Sequence, residues 1–236
     1  MRLNTVQLSR MDITDPFWKQ YTDLVEDVII PYQWDIMNDN VPGVESSHCL
    51  ENFKIAAGLK KGQFYGAVFQ DTDVAKWLEA VGYSLAEKKN EKLEKLADDA
   101  IDVIVQAQQE DGYLDTYFII KEPSQRWRNL CEGHELYSAG HMIEAAVAYY
   151  EGTGKRKLLD SMIRLADLIC RTFGPEEGQN HGYPGHQEIE LALVRLYRVT
   201  QDKKYLEVLP GYPGSGEELF PRGAEAGEFQ KDFPGI

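Results

Sequence analysis

The chain has 236 residues, of which 43% are hydrophobic and 27% charged, and its 25 basic against 39 acidic side chains give a net charge of −14. Its 13 Tyr, 9 Phe and 4 Trp supply aromatic side chains for a core, so the composition excludes an intrinsically disordered protein. The acidic balance, without any Lys/Arg-rich block, argues against nucleic acids and anionic membrane surfaces as partners.

The opening residues lack the continuous apolar segment of a secretory signal, and no stretch has the roughly 18 apolar residues that a membrane span needs. Three cysteines, Cys49, Cys131 and Cys170, are an odd number, and none belongs to a C-x-x-C pair. Because a chain of this size needs no disulfide framework, these thiols fit a reducing environment. The sequence therefore predicts a cytoplasmic protein.

Apolar residues that recur with a helical period predict helices along most of the chain. The first predicted helix spans 17–37 with a kink at Pro31, and the second follows Asp71 and Asp73, which are expected to cap it. Extended segments are expected only at 63–69 and 113–120, where aromatic and β-branched residues stand near glycine. The remaining predicted helices, in chain order, span 74–85, 93–104, 134–151, 158–173 and 187–199, with a short one from Lys203.

Two weak internal repeats relate these helices to one another. Residues 79–104 align with 144–169 at an offset of 65, and Tyr150 aligns with Tyr197 at an offset of 47. The repeating unit is a helix hairpin, and stacked hairpins form either an open solenoid or a closed toroid of inner and outer helices. Because the two offsets differ, a toroid with insertions is favoured. We expect one α-helical domain over 1–206, followed by an irregular Gly/Pro-rich segment over 207–236.

The predicted helix over 134–151 carries no Lys or Arg, so it is expected to be buried. His134 and His141 share one of its faces, either as hydrogen-bonded core histidines or as the polar lining of a ligand pocket. His186 precedes the next helix and shares a face with Glu190, with which it is expected to pair. This histidine is either a helix-start residue or a ligand contact.

Catalytic and metal-binding motifs are weak. Cys131-x-x-His134 and a His181/His186 pair are isolated, without the further ligands of a zinc site, and the sequence has no P-loop, dinucleotide-binding or serine-hydrolase motif. Paired acids have the residue types of a glycosidase acid and base, but 39 acidic residues make chance pairs certain. Those pairs are Asp71/Asp73, Glu132/Glu135 and Glu188/Glu190.

Six segments follow one another in a recognisable order: DPFW at 15–18, ENF at 51–53, FQDTDVAKWLEA at 69–80, QQEDGYL at 108–114, HELYSAGH at 134–141 and GHQEIELAL at 185–193. They resemble glycoside hydrolase family 127, the β-L-arabinofuranosidase-like proteins, over residues 12 to about 206. The resemblance implies an all-α fold, an (α/α)6 toroid present here in part with about seven helices. It also implies a furanose sugar in the central cavity, with His141 and His186 as sugar contacts.

By the same resemblance, complete members use a cysteine nucleophile bound to zinc, held by further cysteines and a glutamate, with a second glutamate as acid/base. Cys49, Cys131 and Cys170 match none of those positions, so we expect no catalytic residue, no metal ligand and no zinc in this chain. Whether the chain is itself an enzyme stays open.

The resemblance implies a glycoside hydrolase acting on arabinofuranosides of plant glycans or glycoproteins, present as an N-terminal part that is inactive alone. The alternative is a non-catalytic α-helical module that binds carbohydrate or protein. Since an incomplete toroid leaves inner helices such as 134–151 without partners across the ring, self-association through them is expected.

Overall fold

The computed structural model describes residues 11–208, and helices make up nearly all of its regular structure. Most helix bounds lie within a few residues of those predicted from the apolar periodicity. The helices are α1 (Pro16–Leu24), α2 (Ile30–Met37), α3 (Cys49–Ala56), α4 (Asp71–Glu87), α5 (Glu91–Ala107), α6 (Thr116–Ile120), α7 (Glu135–Thr153), α8 (Lys157–Thr172), α9 (Glu188–Thr200) and α10 (Lys204–Glu207).

The first predicted helix is one continuous helical segment with a change of winding at its centre. Asp15 caps α1, since its carboxylate accepts hydrogen bonds from the backbone N–H groups of Phe17 and Trp18 at 3.0 and 3.1 Å. A π-helical stretch, Val25–Ile29, then leads into α2 just before Pro31. Proline lacks the N–H of the α-helical ladder, so the wider turn lies where the kink is predicted.

Three hairpins build most of the remaining structure in two layers. Helices α4, α7 and α9 lie side by side in one layer, with α7 in the middle. Their hairpin partners α5, α8 and α10 form the second layer. The pairs α4–α5, α7–α8 and α9–α10 are joined by loops of three residues, which return each second helix antiparallel to the first. The two sequence repeats coincide with these hairpins, so the hairpin architecture predicted from them is confirmed.

Glycines allow α4 and α7 to cross closely. A Cβ atom on Gly82 would lie 2.6 Å from the backbone carbon of Ala148, and one on Gly152 would lie 2.2 Å from the carbonyl oxygen of Gly82. Any larger residue would therefore separate the two helices. This contact sets the distance between α4 and α7. It thereby also sets how closely side chains near the N-terminal ends of the two helices approach each other.

Helix α7 is buried, as its lack of Lys and Arg predicts, with 13 of its 19 residues inaccessible. The expectation that it exposes apolar surface is wrong, because α4, α8 and α9 pack around it. Exposed apolar side chains are concentrated instead along the first helical segment, where Trp18 is 61% and Phe17 55% exposed. The self-association expected from the sequence stays a prediction, and α1 is the surface available for it.

Both predicted extended segments are wrong, and the described residues contain no strand beyond an isolated bridge between Phe173 and Asn180. Within 113–120, Asp115 caps α6 by accepting a hydrogen bond from the backbone N–H of Phe118 at 3.2 Å, so helix replaces strand. Within 63–69, the Asn52 side chain exchanges two hydrogen bonds with the backbone of Tyr65, at 2.8 and 3.1 Å. A side-chain amide thus takes the place of a neighbouring strand.

Helix α3 has no counterpart among the predicted helices. No helix within residues 11–208 is both long enough and apolar enough to cross a bilayer. The predicted domain boundary at residue 206 lies at the edge of the description, and the predicted irregular segment 207–236 falls outside it from residue 209 onward.

Candidate functional site

Histidine and tyrosine rings meet where α7 and α9 begin. The Tyr137 ring lies 4.5 Å from the His141 ring and 5.1 Å from the His186 ring, measured between centroids. The His134 ring lies 5.2 Å from that of His186. Both histidines predicted to contact sugar therefore belong to one cluster, in which Tyr137 separates them. We call His134, Tyr137, His141 and His186 the imidazole cluster.

Local backbone structure places these rings. His134 precedes α7 in the left-handed region at φ 56°, which costs a non-glycine residue on the order of 1–2 kcal/mol, and its Nδ1 lies 2.7 Å from the carbonyl oxygen of Glu132. On the other side, a Cβ atom on Gly185 would lie 2.9 Å from the carbonyl oxygen of Cys131. The glycine lets the loop carrying His186 rest on the loop carrying His134.

A lysine completes the exposed side of the cluster. Lys76 Nζ on α4 donates a hydrogen bond to the Tyr137 hydroxyl at 3.1 Å, and the ammonium lies 5.3 Å from the centre of the tyrosine ring. With its oxygen accepting from Lys76, the hydroxyl keeps its own proton free to donate. Tyr137 lies on the same face of α7 as His134 and His141. Lys76 is not predicted from the sequence, since only the crossing of α4 over α7 brings it to Tyr137.

Beneath the imidazole cluster, His141 meets two carboxylates. Its Nδ1 lies 3.2 Å from Oε1 of Glu188, the first residue of α9. Burial, together with the neighbouring Glu144 carboxylate, raises the pKa of Glu188 to about 7. Burial, reinforced by the Lys76 ammonium, lowers the pKa of His141. The imidazole is therefore neutral at neutral pH, with one nitrogen able to accept and the other able to donate a hydrogen bond.

Arg195 on α9 ties together the three helices that carry the site. Its Nη1 donates to Glu79 on α4 at 2.9 Å and to Glu144 on α7 at 2.8 Å, while Nη2 donates to the Tyr83 hydroxyl at 2.7 Å. The Glu144 side chain is only 7% exposed, so its charge needs this partner. Arg195 has no distinguishing signal in the sequence, because α9 also carries Arg198 and two glutamates.

The predicted pairing of His186 with Glu190 is wrong. His186 is exposed and packs against His134 and Tyr137, and no hydrogen bond or ion pair joins it to Glu190. Burial alone raises the pKa of Glu190. His186 lies before α9, so helical phase does not describe where its side chain points, and the carboxylate that meets a histidine is Glu188.

Asp71 is not a helix cap, contrary to the sequence prediction. Gln70 occupies the cap position, and both oxygens of the buried Asp71 accept hydrogen bonds from Thr116, from its hydroxyl at 2.5 Å and its backbone N–H at 2.7 Å. Asp73 does lie in the first turn, where it accepts a hydrogen bond from the Gln70 amide at 3.1 Å. Contact with α6 draws the Asp71 carboxylate inward, which periodicity does not reveal.

Behind the cluster lies a group of buried acids. Glu135, 1% exposed, accepts hydrogen bonds from the Tyr113 hydroxyl at 2.5 Å and the Trp127 backbone N–H at 2.7 Å. Burial raises the pKa of Glu135 to about 7 and that of Asp71 to about 6. Burial, together with the charges of Asp71 and Glu135, holds the pKa of Asp115 well above its usual range. These groups are too deep to touch a ligand, so they support the backbone below it.

The cysteines of this chain do not fit a zinc-thiolate centre. All three are free thiols within the described residues, and none shares a metal-binding cluster with another ligand there. Burial raises the pKa of Cys49 to about 11 and that of Cys170 to about 12, while burial and Glu132 raise that of Cys131. A nucleophilic thiol needs the opposite shift, toward thiolate at neutral pH. No reaction step is therefore assigned to these thiols.

Two layers of antiparallel helix hairpins, with histidines at the ends of the inner helices, give the chain the architecture of the (α/α)-toroid proteins. Solved structures agree. A GH127 β-L-arabinofuranosidase from Geobacillus stearothermophilus T6 superposes with a TM-score of 0.84 at 58% identity, over 85% of this chain and 32% of that one. A second GH127 β-arabinofuranosidase superposes with a TM-score of 0.80 at 37% identity, over 88% and 33%.

The family follows from the sequence comparison. The family model for the GH127 catalytic domain of β-L-arabinofuranosidases matches residues 10–209. A non-reducing end β-L-arabinofuranosidase of Bifidobacterium longum subsp. longum is 44% identical over 210 residues, 82% of this chain and 32% of that protein. The chain belongs to the GH127 family, and it spans about a third of the length of the relatives it matches.

Proposed function

We propose that this chain forms the sugar-binding side of a β-L-arabinofuranosidase, with His141 and His186 as hydrogen-bonding contacts to an arabinofuranoside. The observation that carries the proposal is the imidazole cluster, which joins both histidines through Tyr137 at the start of the inner helices. Membership of the GH127 family supports the class of ligand. The proposed natural ligands are arabinofuranosides of plant glycans or glycoproteins.

The chemistry of the cluster suits a polyhydroxylated ligand. Nδ1 of His141 faces Glu188, which leaves Nε2 for the sugar. The Tyr137 hydroxyl accepts a hydrogen bond from Lys76, so its own proton is available to a ligand. His186 is exposed and packs through its ring faces, so its nitrogens are available to hydroxyl groups. Hydrogen-bond donors and hydrogen-bond acceptors thus lie beside the aromatic ring of Tyr137.

Hydrolysis needs more than this face provides. A retaining glycosidase holds its nucleophile and acid/base in a fixed pair, about 5–5.5 Å apart when both are carboxylates. Glu135 is buried beneath the cluster, and the cysteine thiols are shifted away from the reactive thiolate. We therefore propose that the 236-residue chain binds the sugar without cleaving it.

Calorimetry of the 236-residue chain with methyl β-L-arabinofuranoside tests the binding role. His141→Ala and His186→Ala should each weaken affinity about 5- to 150-fold, since a hydrogen bond whose partner is left unpaired is worth about 1–3 kcal/mol. His181→Ala is the matched control, because this exposed histidine lies outside the cluster and its Nε2 lies 3.3 Å from the carbonyl oxygen of Glu176. Unchanged affinity in both cluster variants would contradict the assignment.

A hydrolysis assay tests the second half of the proposal. With p-nitrophenyl β-L-arabinofuranoside and added zinc, the 236-residue chain should release no nitrophenol above background. Turnover would show that the reacting pair lies within this chain, and Glu190 and Glu135 would then be the first carboxylates to replace. Binding of a protein instead of a sugar would favour the non-catalytic module. The cytoplasmic location stays a prediction.

A further inference from the structure

Below the imidazole cluster, two buried atoms that ought to have partners lack them. Nδ1 of His141 and Oε1 of Glu188 are each inaccessible to solvent and make no hydrogen bond, although they lie 3.2 Å apart. Their mutual alignment is too poor for an N–H to point at the oxygen. Buried polar atoms almost always have a hydrogen-bond or metal partner. Two neighbouring buried atoms without one therefore suggest that both bind a third atom located between them.

A third donor faces the same space. His141, Glu144 and Glu188 each offer one ligand atom, and the three atoms all lie within 4.8 Å of one another. Two ligand atoms of one tetrahedral zinc ion, at metal distances of about 2.0–2.2 Å, stand roughly 3.4 Å apart. The 3.2 Å between the imidazole nitrogen and the carboxylate oxygen is close to that edge. A lone pair aimed at a shared ion also explains why the two atoms do not aim at each other.

We infer that His141, Glu144 and Glu188 form a binding site for a divalent transition-metal ion of the zinc class. One nitrogen and two carboxylate oxygens form a donor set typical of zinc, manganese and iron sites, and the set includes no cysteine.

The charges leave room for a cation. Arg195 donates to Oε1 of Glu144 and to Glu79, so it balances part of the negative charge and holds the Glu144 carboxylate in place. Lys76 contributes a second positive charge from the exposed side. Three carboxylates, on Glu79, Glu144 and Glu188, still face only these two cations. The remaining negative charge is balanced either by a metal ion or by a proton shared between Glu144 and Glu188.

A second group of potential ligands, Asp39, His48 and Glu51, also contains a buried nitrogen without a hydrogen bond, Nδ1 of His48, which lies 3.0 Å from Oδ2 of Asp39. Its two carboxylates, however, already have other partners. Oδ1 of Asp39 accepts hydrogen bonds from the backbone N–H groups of Ser47 and His48 at 2.7 and 3.0 Å, and Glu51 pairs with Lys60 at 2.8 Å. In the His141 group, by contrast, the carboxylate oxygen Oε1 of Glu188 makes no hydrogen bond, so that group is the stronger candidate.

A metal on Nδ1 would also determine how His141 meets a ligand. A ring nitrogen that binds a metal carries no proton, so the proton must reside on Nε2, on the opposite side of the ring. His141 would then act only as a hydrogen-bond donor. This consequence rests on the proposed sugar-binding role, whereas the metal site itself does not, and its test uses no sugar.

Zinc titration of the tag-free, chelator-treated 236-residue chain by calorimetry, with a phosphine reductant present, tests the site. We expect one zinc ion per chain, with affinity at least about tenfold weaker in Glu188→Gln. Glu190→Gln is the matched control, since this glutamate lies on the same helix outside the donor set. Zinc should also raise the melting temperature of the wild type and of Glu190→Gln, but not that of Glu188→Gln.

Cobalt provides a readout that needs no variant. Cobalt bound by nitrogen and oxygen gives only weak visible bands, whereas thiolate ligation adds strong near-ultraviolet charge transfer. The proposal expects the weak bands alone. Absence of zinc binding by the wild type would overturn it in favour of the shared proton. Equal affinity in Glu188→Gln and Glu190→Gln, or a cobalt–thiolate band, would overturn it in favour of other ligands.

Discussion

The approach of α9 to α7 depends on Gly140, and replacing it with alanine tests how the site is assembled. The added Cβ would lie 2.8 Å from Cγ of Glu188 and 3.0 Å from both the Glu188 carbonyl carbon and the Ile189 nitrogen. Ordinary contact begins near 3.4 Å, so the start of α9 must move by a few tenths of an ångström. Glu188 moves with it, away from His141.

The cost of Gly140→Ala follows from two opposing effects. Overpacking of this kind destabilises by about 1–3 kcal/mol. Alanine regains up to about 1 kcal/mol, because it is the better helix former. A net loss of about 1–2 kcal/mol should lower the melting temperature by roughly 2–8 °C in a chain of this size. Because Glu188 is displaced, affinity at the His141 site should fall as well.

Thermal melts followed by circular dichroism, together with zinc and arabinoside titrations, measure both effects. Gly82→Ala is the control, because its Cβ would lie 2.6 Å from the Ala148 backbone and disturb the α4–α7 crossing two turns from His141. It should destabilise similarly and bind nearly normally. A melting temperature for Gly140→Ala at or above that of the wild type, or equal binding losses in the two variants, would refute the reasoning.

Three further outcomes are expected. Burial raises the pKa of Glu135 to about 7, so the folded protein keeps a proton that the unfolded chain releases near pH 4.5. The free energy of unfolding, measured by urea titration, should therefore fall as pH rises from about 4.5 to 7. In Glu135→Gln this fall should be smaller by roughly 3 kcal/mol. Arg195→Ala leaves Glu144 buried and unpaired and should cost about 3–5 kcal/mol in denaturant unfolding, part of it recovered in Arg195→Lys. Cys49 and Cys170, with pKa values raised to about 11 and 12, should resist iodoacetamide at pH 7 until the chain is unfolded, as peptide mass spectrometry would reveal.

Individual side-chain hydrogen bonds explain why the predictions for two short segments are wrong. Segment 113–120 has the residues of a strand, yet Asp115 caps a helix there. Segment 63–69 also looks extended, but the Asn52 amide occupies its backbone hydrogen bonds. In both cases a single side chain decides the conformation, and single contacts leave no periodic signal.

The sequence by itself determined the long helices, their pairing into hairpins and the burial of α7. Apolar period, repeat offsets and the lack of Lys and Arg are local or regular properties that a chain carries before it folds. It also singled out His141 and His186, through the family resemblance and, for His141, the helix face; the structure places both rings against Tyr137, and their contact with sugar stays a prediction. These properties are those that any stack of amphipathic hairpins must have.

Only the tertiary structure decided what meets these histidines. Glu188 faces His141 because Gly140 admits the start of α9, and Lys76 reaches Tyr137 because Gly82 and Gly152 let α4 cross α7 closely. Such contacts join residues 47 to 61 positions apart, on different helices, at distances set by missing side chains elsewhere. A helical pattern specifies which face each residue occupies, but which faces come into contact depends on how closely the helices pack.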